Sequence, residues 1–338
     1  MRQGILTRKN ISILSSIGLF ICIVFFISLN TGTFKISPIE VLKTLVGLGA
    51  EDQTTILFDF RMPRMIVALL VGSALAVSGA IMQGLSRNPL ADPGIIGINA
   101  GSGLSVVMFV YFVFGKVTMT SFVSVFILPF FALVGAIVAA VIIYALAWKD
   151  GVSPVRLVLV GIAVAAGFSA VSLVFSMKMT ANDFRFATIW LSGSLWGTDW
   201  KFVLSVLPWM LIFLPIAFMR APILNVMNLG DAAATGLGLN VEKERRKLLF
   251  IAVCLAGASV AVAGGISFIG LMAPHLARRL VGGKYQIMLP TAALIGTLLL
   301  LFSDLLSRSL LTTSEIPVGL VISVIGAPYF IYLLIKTR

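Results

Sequence analysis

Apolar runs of about twenty residues alternate along the chain with short polar breaks. Ten spans recur, at approximately 11–29, 63–86, 94–114, 122–147, 154–176, 201–219, 247–267, a short one at 271–282, 286–307 and 316–335. A run of that length crosses a hydrocarbon layer about 30 Å thick as an α-helix rising 1.5 Å per residue. Lipid offers no partner to an unpaired backbone N–H or C=O, so each run is predicted to be a helix. Two breaks carry patterns of their own. ISPIEVLKTLVG (36–47) has apolar positions at helical spacing and is expected to lie along the outer surface. NDFRFATIWLSGSLWGTDW (182–200) is too polar and aromatic for a plain turn, and Trp190, Trp196 and Trp200 suit a membrane interface. A short helix facing outside is predicted there.

Composition agrees. With 338 residues, 59% hydrophobic and 11% charged, the chain has too few polar groups to cover its apolar surface in water, so it is an integral membrane protein. Cys22 and Cys254 both sit inside apolar runs, which argues against a disulfide framework or a cysteine-rich metal site. Arg2, Arg8 and Lys9 precede an apolar stretch as in a signal peptide, but no small-x-small cleavage site follows Leu29, and 11–29 is expected to be a retained span. The net charge of +12 is scattered among loops without an aromatic-interleaved basic patch, so no nucleic-acid partner is expected. An even number of spans puts both termini on one side. Placing them in the cytoplasm sets sixteen Lys and Arg inside against nine outside, in accord with the positive-inside rule.

At a constant offset of 185, GSALAVSGAIMQGLSRNPLA (72–91) and GASVAVAGGISFIGLMAPHLA (257–277) pair Gly72 with Gly257, Ala76 with Ala261, Gly79 with Gly264 and Pro89 with Pro274. The first copy runs inward and the second outward. The predicted architecture is therefore a single polytopic all-α membrane domain, 1–338, with an inverted repeat relating spans 2–5 to spans 7–10, an arrangement typical of transporters. Chance likeness between two Gly/Ala-rich spans is the competing account. The Gly/Pro-interrupted segments NPLADPG (88–94) and FIGLMAPH (268–275) would then mark the translocation pathway, with Asn88, Pro89, Pro93, Pro274 and His275 as candidates. Prolines 89, 93 and 274 are expected to prevent continuous helix, and irregular backbone at membrane depth persists only when buried in protein or lining a wet cavity. Ordinary loops at span ends are the plainer reading.

Chemistry is sparse. His275 is the only histidine, too little for a zinc or copper site, and a hydrogen-bonded residue at a helix start is its default role. Asp304 and Arg308, four apart, can bridge on one helical face. Asp59, Asp183, Asp199 and Glu315 fall near span ends, which disfavours a proton relay through a deep carboxylate. No G-x-x-x-x-G-K-[ST] run is present, so any driving energy must enter through another protein. The chain is expected to be no enzyme and to hold no cofactor.

The stretch NLGDAAATGLGLNVEKERRK (228–247) is polar among oily neighbours. Asp231 is expected to cap a short helix that begins with Ala232, Ala233 and Ala234 and ends in Gly236 and Gly238. Asn240 should cap a second helix carrying Glu242 and Glu244 in its first turn. Such a compact helix of small residues on the cytoplasmic face fits a cleft on a partner; a tidy turn between spans is the alternative.

Five motifs in order, FRMPRMIVALLVGSALAVSGAIMQGLSRNPLADPGIIGINAGSG (60–103), GDAAATGLGLN (230–240), GGISFIGLMAPHLARRLVGG (264–283), KYQIMLP (284–290) and EIPVGLVISVIGAPYF (315–330), resemble the iron-siderophore, haem and cobalamin permeases of bacterial ABC importers over essentially the whole chain. The resemblance implies ten spans and two permeases, as a homo- or heterodimer, around a central pathway. It also implies two ATPase subunits that carry ATP and Mg, and an external binding protein that delivers substrate, most like a ferric siderophore. It puts Gly230, Asp231, Ala234, Gly236 and Gly238 on the ATPase-coupling element, although the generic E-A-A-x-x-x-G signature is only approximated, with Asp231 in place of Glu. Arg61, Arg64 and Arg308 match positions that receive carboxylates of the binding protein, a role suited to bidentate guanidinium pairing; interfacial snorkelling competes. Residues 182–196 match a short outer helix near the pathway, making Phe184, Trp190 and Gly193 candidate gate residues. An ion-coupled secondary transporter is the reading from a different class, and the motifs do not separate hydroxamate, catecholate, citrate, haem and cobalamin cargo.

Overall fold

Among the described residues of the computed structural model every regular element is a helix, and five of the helices open on a side-chain cap, at Thr7, Ser37, Thr180, Asp199 and Asn240. The structure describes residues 7–32, 34, 36–94, 97–113, 122–149, 151, 153–310 and 315–336. Arg2, Lys35, Lys116 and Arg338, which contribute to the charge asymmetry, lie outside the described residues, as does the junction of the third and fourth spans at 114–121.

Thr7 caps α1 (Arg8–Asn30), accepting from the Asn10 N–H at 3.2 Å. Ser37 and Glu40 form a reciprocal capping box at the start of α2 (Pro38–Leu45), whose Ile39, Leu42 and Leu45 are exposed as expected of a surface-lying helix. α3 (Glu51–Thr55) continues through a π-helical turn (Ile56–Arg61) into α4 (Met62–Ser86). α5 (Ile98–Phe112), α6 (Phe122–Ala147) and α7 (Pro154–Ser176) follow, then the predicted short helix α8 (Ala181–Leu191). α9 (Trp200–Met219) leads through α10 (Ala221–Met227) and α11 (Asp231–Gly236) to α12 (Val241–Ala263), α13 (Ile269–Val281), α14 (Tyr285–Ser309) and α15 (Val318–Lys336). Among the described residues eight helices are long and apolar enough to cross a membrane, and α5 and the shorter α13 occupy the remaining two predicted spans. The helix led by Asn240 is not separate from the seventh span: it runs unbroken into it as α12.

α4 and α12 form the centre. In their apolar stretches 78% and 83% of residues are buried, against 17% in α1 and α7. The inverted repeat is visible in the packing. α4 packs on α14 as α12 packs on α6, and α4 on α13 as α12 on α5; the pairs α5–α6, α5–α7 and α6–α7 recur as α13–α14, α13–α15 and α14–α15. The residue-by-residue register of the sequence match does not hold throughout. Gly79 is inside α4 whereas Gly264 caps α12, and Pro89 lies in a loop whereas Pro274 is inside α13.

Small residues allow the central helices to touch backbone to backbone. A Cβ on Gly72 would lie 2.6 Å from the Gly296 carbonyl oxygen, so α4 and α14 meet where neither has a side chain. Pro274 corrects an expectation: it does not prevent continuous helix. The missing N–H frees the Gly270 carbonyl, and Gln83 of α4 supplies a substitute, its Nε2 donating to Gly270 O at 3.4 Å and Leu271 O at 3.2 Å. The irregular backbone falls before α13 instead, where Phe268 adopts a left-handed φ of 67°.

Candidate functional site

Two polar clusters stand at opposite ends of α4, called inner and outer here after the predicted topology. At the inner end, α4 stops on Arg87 in the left-handed region (φ 50°), and the Arg87 guanidinium donates to Asp231 on α11. Arg245, in the first turns of α12, donates to the other Asp231 oxygen at 2.9 Å. The expectation that Asp231 caps α11 is corrected. It is the first helical residue, after Gly230 (φ 108°), and its carboxylate bridges two helices rather than closing on its own backbone. Asn240 does cap α12, its Oδ1 accepting from the Lys243 N–H at 3.0 Å.

The network extends further. Arg245 also donates to Glu242 at 3.1 Å, and Glu242 accepts from the Tyr144 hydroxyl of α6 at 2.6 Å. Glu244 accepts from Arg220, at the junction of α9 and α10, at 2.8 Å. α11 is thus tied by charged hydrogen bonds to α4 and α12, and α12 to α6 and α9.

The glycines of this segment divide by cause. Gly230 and Gly238 have positive φ, and Gly238 completes a Schellman turn in which Leu239 N–H reaches Ala234 O at 3.0 Å and Gly238 N–H reaches Thr235 O at 2.9 Å. Gly236 is different: its backbone is helical and a Cβ there would meet nothing within 4 Å. Nothing among the described residues requires a glycine at that position. Ala234 is buried, while Ala232 and Ala233 are exposed and flanked by Leu229 and Leu237, 65% and 67% exposed. The element is a small-residue ridge with two apolar side chains beside it.

At the outer end Arg61, Arg64 and Arg308 converge on one cavity of about 310 Å³, also lined by Phe34, Phe60 and Glu315. The π-helical turn carries Arg61 inward, where its guanidinium donates to the carbonyls of Leu29 and Phe34. Arg64 donates through Nε to Asp304 at 2.9 Å and through Nη1 to Glu315 at 2.7 Å. Arg308 lies 3.1 Å from Asp304 Oδ2 without hydrogen-bond alignment, and its Nη1 donates to Thr31 O at 3.2 Å. The predicted Asp304 and Arg308 bridge is present, with Arg64 as an unforeseen third member. Free snorkelling is corrected, because Arg61 and Arg64 are 6% and 9% exposed. Two carboxylates near span ends prove to be buried within the protein: Asp304 is fully buried, and Asp92 is 4% exposed. Neither is legible in the sequence, because long-range arginine partners and loop folding leave no periodic trace there.

Between the two ends, the interrupted segments pack on each other. Asn88 Oδ1 accepts from Leu90 N–H at 2.9 Å and Asp92 Oδ1 from Gly94 N–H at 2.7 Å, so side chains hold the NPLADPG backbone that Pro89 and Pro93 keep out of a helix. Asp92 lies against Gly270, where a Cβ would come within 2.8 Å of its carboxylate, and Asn99 donates to Ile266 O at 3.4 Å. His275 is in the second turn of α13 rather than at its start. Its Nε2 is buried without a hydrogen bond among the described residues, and its ring stands edge-on to Tyr329. Of the candidate gate residues, Phe184 is 47% exposed on α8, and Trp190 packs in a small apolar cluster with Val106 and Phe109 of α5. Gly193 (φ 77°) accepts from the Gly319 N–H at 3.0 Å, joining the end of α8 to the start of α15, while Ser194 N–H reaches Ala263 O of α12 at 2.9 Å.

A model of the FecCD transport family matches residues 20–336. The chain is similar to the iron(3+)-hydroxamate import system permease protein FhuG of Bacillus subtilis (strain 168), 54% identical over 98% of this chain and 99% of that protein. It is also similar to the iron-uptake system permease protein FeuC of the same organism, 40% identical over 94% of this chain and 95% of that one. Among solved structures, one assigned as an inward-facing metal-chelate type ABC transporter superposes with a TM-score of 0.84 at 30% identity, covering 96% of this chain and 99% of that one.

Proposed function

The chain belongs to the FecCD transport family, and from that premise we propose that it is the permease subunit of an ATP-driven importer for a ferric siderophore of the hydroxamate kind. It carries out no covalent chemistry. Substrate arrives on a separate binding protein at the outer face, crosses between this chain and a second permease, and leaves inward as two ATPase subunits, which carry the ATP and Mg, bind and hydrolyse nucleotide. Both termini face the cytoplasm in this reading, as does segment 228–247.

One observation carries the mechanism: Asp231 is bonded at once to the end of α4 and the start of α12, the two most buried helices. A partner that moves α11 therefore pulls on the centre of the fold, and alternating access follows from the tilt of helices already joined in a network. Gly230, Asp231, Ala234, Gly236 and Gly238 form the coupling element, with Gly236 supplying clearance for the ATPase cleft. Arg61, Arg64 and Arg308 receive carboxylates of the binding protein. Asn88, Pro89, Pro93, Pro274 and His275, together with Phe184, Trp190 and Gly193, belong to the pathway and its outer gate. The hydroxamate reading rests on the likeness to the Bacillus permease.

The test is uptake into proteoliposomes holding this chain with its permease partner, ATPase and binding protein. ATP-dependent entry of a ferric hydroxamate that persists after ionophores abolish all ion gradients is the expected result. Entry that needs a gradient and no ATP would replace this reading with an ion-coupled carrier.

A further inference from the structure

The outer arginine cluster holds two carboxylates of unlike kind. Asp304 is fully buried on α14 and is shared by Arg64 and Arg308, so it is a fixed part of the fold. Glu315 lies just before α15, its side chain is 32% exposed, and it reaches Arg64 Nη1 from the rim of the 310 Å³ cavity at 2.7 Å. Breaking a buried pair strands a charge in a poor solvent, whereas moving a part-exposed carboxylate into water costs little if another carboxylate takes its place. The cluster also lacks one negative charge. Among the described residues three guanidinium groups face two carboxylates, Arg61 has only carbonyl acceptors, and Arg308 Nε and Nη2 are buried without hydrogen bonds.

Glu315 is mechanically placed as well. Four residues on, Gly319 N–H bonds Gly193 O at 3.0 Å, and a Cβ on Gly193 would lie 2.9 Å from Ile266 at the α12–α13 joint. The Arg64 and Glu315 contact therefore pins the outer end of α15, and through it the end of α8 and the irregular backbone before α13.

We propose that Glu315 is an internal stand-in for a carboxylate of the binding protein: docking exchanges it off Arg64 and releases the outer end of α15. The exchange rests on the docking role given above to the arginines and adds the residue that times it. Arg64 is never left unpaired, because one carboxylate replaces another. The released segment is the one joined to Gly193, so arrival of the binding protein is converted into motion at the gate.

The experiment measures affinity between the binding protein and the reconstituted permease–ATPase complex. Glu315→Gln removes the competing charge and is expected to tighten docking roughly three- to tenfold, the worth of one part-exposed charged hydrogen bond. Glu315→Asp should stay near wild type. A merely structural role for Glu315 would weaken docking instead. Arg61→Gln, which keeps amide donors for the carbonyls of Leu29 and Phe34, tests the underlying reading. If it binds as well as wild type, the arginines do not receive the binding protein. If it binds worse while Glu315→Gln binds no tighter than wild type, the exchange alone is wrong. A second measurement keeps Glu315 intact and so decides the question even if Glu315→Gln does not assemble. Spin labels at Phe60→Cys and Leu320→Cys, with Cys22→Ser and Cys254→Ala, should move apart when the binding protein docks. An unchanged distance overturns the proposal.

Discussion

Arg64 on α4 and Asp304 on α14 stand 240 residues apart in the chain, yet Arg64 Nε donates to the fully buried Asp304 carboxylate at 2.9 Å. The pair closes the two halves of the repeat at their outer ends. Asp304→Asn leaves Arg64 and Arg308 short of compensating charge and should cost about 3–5 kcal/mol, the range for an orphaned buried ion. Glu315→Gln, at a part-exposed site, should cost under about 1 kcal/mol. Thermal midpoints of the detergent-solubilised protein would show the contrast, and equal shifts would mean that burial does not distinguish the two carboxylates.

Gln83 and Pro274 form a second coupled pair. Gln83→Ala removes the donor that serves the Gly270 and Leu271 carbonyls, for an expected loss of about 1–3 kcal/mol. Pro274→Ala restores the backbone N–H that Gly270 lacks, so the double variant should lose less than the two single losses added together. Strict additivity in the same melting measurement would rule out the compensation.

At the α4–α14 crossing, Gly72→Leu would drive a side chain into the Gly296 backbone and should abolish assembly of monodisperse protein. Gly18→Leu, on the weakly buried α1 where a Cβ meets nothing within 4 Å, serves as the control and should be tolerated. Size-exclusion profiles after extraction read the difference.

For the coupling element, Asp231→Ala breaks two ion pairs at a carboxylate 47% exposed, so the fold should survive with a change under about 1 kcal/mol. Gly236→Leu has open space around it and should also insert normally. Both variants are expected to hydrolyse ATP in the complex with at least tenfold less uptake per ATP. Uptake at the wild-type ratio in either would remove 228–247 from the coupling path.

Much of this molecule is readable along the chain. Among the described residues, eight spans follow from apolar run length, because a hydrocarbon layer of given thickness demands a helix of given length. Asn240 acts as the expected cap because capping needs only a neighbour three residues away. The inverted repeat is visible in part, since the matched Gly72 and Gly257 face α14 and α6 in turn, whereas Gly79 and Gly264 do not share a role.

Tertiary structure decided the rest, and the reason is distance in sequence. Asp231 has the composition of a cap and the position of a bridge, because Arg87 and Arg245 arrive from other helices. Pro274 carries the mark of a helix breaker, yet it rests inside α13 because Gln83, from the opposite half, takes over the lost bond. Glu315 and Asp304 are both acids near span ends in the sequence; only packing makes one permanent and the other exchangeable. Local periodicity set where the chain crosses lipid, and the long-range pairing of charges and carbonyls set which crossings move together.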